Sequence, residues 1–168
     1  MAMQRIWLAL LLLPACLVDQ PIEEETDTPS RRNHPPVIVH RSPSTTTLYL
    51  QRDCDVRFAL PRIDDEDLHD DLVIKWFVNY EDDDQPFDTW IVRATEADGP
   101  TRLLPNRFLV LPLSGYEDRS TIVVEAVVSD GFADPMEPPR NRAIAEGKGV
   151  AVATWTIVFS EGSWCNIP

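Results

Sequence analysis

Three cysteines and three histidines are the residues of this chain best suited to nucleophilic, redox or proton-transfer chemistry. His34, His40 and His69 are scattered, and only His69, beside Asp67 and Asp70, stands near carboxylates that could orient it as an acid or base. General acid–base catalysis needs such a group within reach of a positioned substrate, and covalent catalysis also needs an activated nucleophile. No HExxH motif, Gly-rich phosphate loop, CxxC pair or nucleophile elbow accompanies it. The expectation is a non-catalytic protein, with a small envelope hydrolase built on His69 as the alternative.

Composition bounds the partners. The 168 residues hold 28 acidic and 15 basic side chains, a formal net charge of −13. Nucleic acid is excluded as a partner on this balance, because phosphate binding requires a basic footprint. Length allows one domain plus a leader and a tether. With 15 prolines against 6 glycines and only short apolar runs, β structure with long loops is favoured over a helical bundle.

Residues 1–15 carry Arg5 and then the apolar run 6–13, too short to span a bilayer as a mature helix, and so read as a signal peptide. The end of that leader, Leu13-Pro14-Ala15-Cys16, resembles the lipobox of bacterial lipoproteins, with Pro14 departing from the small residue usual there. The resemblance implies that Cys16 becomes a lipidated N-terminus carrying diacylglycerol and an amide-linked acyl chain, which holds the protein at a membrane. Leu17 stands where an inner-membrane retention signal would place Asp, so the expected site is the cell envelope, the outer membrane rather than the inner. Residues 16–36 are polar and acidic, without apolar periodicity, and read as a flexible tether that stiffens at Pro35-Pro36.

Residues 37–168 alternate apolar and polar side chains in short runs separated by turn signals. The segment 72–80, LVIKWFVNY, sets Leu72, Ile74, Trp76, Val78 and Tyr80 on one face of a strand. Residues 120–129 put Ile122, Val124, Ala126 and Val128 inward and are expected to partner it, with Trp76 facing them. Further strands are predicted over 37–39, 45–51, 54–60, 89–94, 107–113 and 149–159. This pattern predicts an all-β fold, an immunoglobulin-like antiparallel β-sandwich of about seven or eight strands, with a closed barrel as the alternative. Residues 140–148 are predicted to form at most a helical turn within a long loop, 130–148, which also carries Phe132, Met136 and the three cations Arg140, Arg142 and Lys148. Long loops on a rigid scaffold are where recognition commonly resides.

With Cys16 assigned to lipid, Cys54 and Cys165 remain as an even pair in an oxidising compartment and are expected to form a disulfide. The strand over 120–129 has no cysteine, unlike its counterpart in antibody domains.

Three stretches together resemble the repeats of bacterial PKD- and cadherin-like domains: Asn33-His34-Pro35-Pro36-Val37-Ile38, Ile63-Asp64-Asp65-Glu66-Asp67, and Val127-Val128-Ser129-Asp130-Gly131-Phe132. The resemblance covers residues 33–160 and is more specific for fold than for function. It makes Asp64, Asp65, Glu66, Asp67 and Asp130 candidate calcium ligands, with Asp82-Asp83-Asp84 as a weaker set. Because the glycine and asparagine that shape the family's loop are missing, the expectation is a solvated acidic loop without a cofactor, with calcium as the alternative. The functional expectation is a lipoprotein that presents its domain to another protein or to an envelope polymer. A calcium-dependent adhesion or spacer domain is the alternative.

Overall fold

The β-branched and aromatic runs of this sequence fold as nine strands in a computed structural model, which describes residues 33–81, 85–94, 99–133, 141–161 and 165. Residues 1–32, on which the expected signal peptide, the lipidated Cys16 and most of the expected tether fall, and residues 82–84 lie outside the described residues. In chain order the strands are β1 (Val37–Ser42), β2 (Thr47–Leu50), β3 (Asp55–Asp64), β4 (Leu72–Val78) and β5 (Asp88–Val92). They continue with β6 (Thr101–Leu103), β7 (Leu109–Pro112), β8 (Thr121–Ser129) and β9 (Val150–Phe159). No α-helix occurs among the described residues, and the one helical element is a short 3-10 turn at Leu113–Tyr116.

Two sheets form the sandwich. In one, β3 pairs with β1 on one side and with β6 and β7 on the other; the second has the order β2-β9-β8-β4-β5. Placing β4 beside β8 and β8 beside β9 is the immunoglobulin-like arrangement, with Trp76 buried on the strand where that fold keeps its core tryptophan. Inward residues of both sheets, among them Val56, Phe58, Leu60, Ile74, Val124 and Ile157, make one core.

Several expectations are corrected in detail. There are nine strands because Thr101–Leu103 adds a short one, pairing with Arg62, Ile63 and Asp64. The sandwich is not wholly antiparallel, since β2 runs parallel to β9 from Thr47↔Thr156 to Leu50↔Phe159. The chain leaves β1 in the first sheet and continues as β2 in the second, beside β9. Trp76 does not face β8 across the core. It sits beside it in the same sheet, in register with Ala126, because β4 and β8 share a hydrogen-bonded ladder.

The strand parities hold for Ile122, Val124, Ala126 and Val128, all buried on β8, but not for Tyr80. Expected on the face of Trp76, Tyr80 lies past the end of β4, beyond left-handed Asn79, and its ring meets that of outward Phe77 at 5.1 Å. Yet three residues whose parity points outward are also closed off from solvent, Phe77 and Ser129 at 0% and Val127 at 1% exposure.

Candidate functional site at the loop end and outer face

Strand direction places the β3–β4, β5–β6 and β8–β9 connections at one end of the sandwich, together with the entry of the chain at residues 33–36. The motif Ser129-Asp130-Gly131 closes the root of the β8–β9 connection there. Ser129, fully buried, donates from Oγ to the Gly149 carbonyl at 2.7 Å, and the same oxygen accepts from the Gly131 amide at 3.0 Å. Asp130 Oδ1 accepts from the Gly149 amide at 2.8 Å. Gly149 itself is pressed against the chain entry, since a Cβ added to it would lie 2.5 Å from Pro35 Cα.

From this root the connection folds back over the five-stranded sheet. Phe132 and Ile144 form an antiparallel bridge, supported by Ala133 N–H to Ala143 O at 2.9 Å and Ala145 N–H to Gly131 O at 3.1 Å. Lys75, projecting from the outer face of β4, donates to Asn141 O at 2.9 Å while its ammonium lies 4.1 Å from the centre of the Phe132 ring. Burial under this cover lowers the Lys75 pKa from its ordinary value. Arg142 donates to Glu125 at 2.8 Å and lies over the Tyr80 ring. The helical turn expected at 140–148 is therefore absent from residue 141 onward; turns and a bridge take its place, because pairing across the flap satisfies the backbone instead. Residue 140, like the rest of 134–140, lies outside the described residues.

The flap borders a groove of about 380 Å³ lined by Asn79, Tyr80, Glu81, Arg119, Val123 and Arg142. Asn79 shapes it by adopting φ +52°, a left-handed conformation that Asn tolerates better than most residues. Its amide donates to Val123 O and its Oδ1 accepts from Val123 N–H, so a side chain carries the β4–β8 ladder one step beyond Val78 and aims Tyr80 at Arg142. Residue pattern alone did not reveal this groove, since its two walls are distant in sequence.

At the loop end the structure disperses the five acidic residues grouped by the sequence. Asp64 is held by both Arg62 nitrogens, at 2.9 and 2.8 Å, and by the Thr101 hydroxyl. Glu66 is exposed, its carboxylate 3.7 Å from the His34 imidazole. Asp67 accepts the His34 amide at 2.7 Å, and its own amide donates to Asp65 Oδ1 at 3.1 Å. Buried Arg102 adds a cation from β6, donating to the Gly99 and Leu68 carbonyls. His69 is exposed, on the same connection.

These positions were tested against calcium, which takes six to eight oxygens at about 2.3–2.6 Å and so draws them within about 5 Å of one another. Among the described residues, no three of the five carboxylates bring oxygens within 4.8 Å of one another. The one group that meets this spacing is Asp53, Cys54 and Cys165, whose sulfurs are joined in a disulfide. Asp65 Oδ1, Asp67 Oδ2 and Asp130 Oδ1 are engaged by backbone amides, so the arrangement does not fit a calcium cage.

Burial raises the Asp65 pKa above its ordinary 3.8; the Asp67 and Asp130 charges add to the rise, while the Asp67 amide and Arg102 oppose it. The folded chain then keeps this proton to higher pH than the unfolded chain, so the contribution of Asp65 to stability falls as pH rises from 3.8 through its raised value. Asp64, held low chiefly by Arg62, and Asp71, held low chiefly by the Ala94 amide, act in the opposite sense: their contributions are present above 3.8 and lost below it. Asp65→Asn keeps the Oδ1 acceptor and removes the ionisation. Its melting temperature, followed from pH 4 upward, is expected to decline less steeply than that of the wild type; parallel curves would refute the assignment.

Comparison of the chain with protein-family models, with curated proteins and with solved structures finds no match.

Proposed function

We propose that this chain is a non-catalytic cell-envelope lipoprotein, anchored through Cys16, whose immunoglobulin-like domain holds a partner protein or an envelope polymer. The observation that carries the binding role is the β8–β9 connection pinned to the outer face of the sheet. Its Lys75, Glu125 and Tyr80 contacts hold a recognition loop on a rigid scaffold, and a polar and aromatic groove lies at its border. The lipobox-like leader supports the anchor, with the outer membrane as the proposed destination. The strand order agrees with the PKD- and cadherin-like resemblance, which bears on fold and leaves the ligand to the groove.

Two measurements test the two halves of this reading. Palmitate labelling of the full chain in a bacterial host is expected to mark the protein, and Cys16→Ala to abolish the label and release the protein into the soluble fraction. An unlabelled wild type would remove the anchor. For the groove, a photoreactive phenylalanine analogue placed at Tyr80 is expected to yield a discrete crosslinked adduct in the envelope. The same probe at Tyr49, exposed on β2, serves as the control; equal adducts from both positions, or none from Tyr80, would reject the groove as the binding surface.

A further inference from the structure

The loop end holds a cation of its own. Lys148, the last residue but one before β9, places its ammonium 3.2 Å from Asp70 Oδ2 on the β3–β4 connection and 3.4 Å from Asp130 Oδ2 at the end of β8. The Asp130 side chain is only 2% exposed, and its Oδ2 accepts no hydrogen bond. A buried carboxylate oxygen in that state is costly unless a positive charge stands beside it. The lysine stem is fixed as well: a Cβ added to Gly131 would fall 2.7 Å from Lys148 Cγ, so the glycine of the Ser129-Asp130-Gly131 motif leaves the room in which the stem lies. Its partner carboxylates raise the Lys148 pKa, with Asp70 the larger cause.

We propose that Lys148 is the built-in counter-cation of this end. It joins the β3–β4 and β8–β9 connections by charge, in the role that a divalent ion would fill between acidic loops. The acidic loop and the Ser129-Asp130-Gly131 root are thereby closed on each other by charge, and the two connections need no divalent ion between them. This inference is independent of the anchor and of the groove.

The test is a double-substitution cycle on the folded domain with calcium and chelator arms. Lys148→Met is expected to lower the melting temperature by about 3–5 °C, since roughly 1 kcal/mol corresponds to a few degrees for a domain of this size. Asp130→Asn, which retains the acceptor for the Gly149 amide, is expected to cost less in the Lys148→Met background than in the wild type. Calcium at about 5 mM, above the dissociation constants of roughly 0.1–1 mM typical of extracellular modules, should leave the wild-type midpoint where chelator leaves it. Lys148→Arg, which keeps the charge, should recover most of the midpoint lost in Lys148→Met. Additive effects of the two substitutions would overturn the proposal, as would a wild-type midpoint that rises with calcium.

Discussion

Replacing Trp76 with alanine is expected to destabilise the domain by about 3–5 kcal/mol, the cost of emptying a large aromatic site in a packed core. Trp76 is wholly buried, with its ring 5.0 Å from that of Trp90 and 6.0 Å from that of Trp155, which in turn meets Phe58 at 5.1 Å. Removing it therefore takes ring contacts from β5 beside it and from β9, two strands away in the same sheet, whose Trp155 in turn meets Phe58 of the facing sheet. Trp76→Phe should cost far less. The indole nitrogen of Trp76 is buried without a partner, so the change discards an unsatisfied donor along with some packing. Urea unfolding of the three proteins measures both differences, and an alanine variant that unfolds at the wild-type midpoint would show that this strand does not underlie the core.

Removing the disulfide is the second large effect. Cys54 and Cys165 are bonded across 111 residues of sequence, and in the chain-entropy account a loop of that size restricts the unfolded state by about 4–5 kcal/mol. Cys54 is buried just before β3, where its carbonyl accepts the Leu113 amide at 3.1 Å, so the bond fastens the tail beyond β9 to the end of the sandwich remote from the loop flap. The double variant Cys54→Ala with Cys165→Ala is expected to unfold at markedly lower urea concentration than the wild type, and wild-type protein under reductant should move in the same direction. A midpoint unchanged by both treatments would mean that the bond adds nothing to stability.

Much of this fold is legible in the order of residues because strand parity is local. Ile74 and Trp76 on β4, Leu109 and Leu111 on β7, and Ala153, Trp155 and Ile157 on β9 fall inward at every second position, as the pleat requires. The pairing of Cys54 with Cys165 is expected from the sequence and is present. The candidate site was much less legible. Asp64, Asp65, Glu66 and Asp67 are neighbours in sequence, but a strand end and a tight turn send them to Arg62, Arg102 and His34 separately. Lys148 drew notice only as one of three cations in a long loop, and its proximity to Asp70 spans 78 positions.

The run 72–80 and its companion β8 determined by themselves that this chain would bury a tryptophan-centred β core. Only the tertiary structure decided what lies on the other face of those strands. Phe77, Val127 and Ser129 alternate outward yet are sealed: Phe77 meets the Tyr80 ring, Ser129 bonds to Gly131 and Gly149, and the β8–β9 connection turns back on Lys75, Glu125 and Tyr80. Alternation records which way a side chain points from its own strand. What it meets there depends on contacts between residues far apart in the chain, and those exist only once the loops have closed.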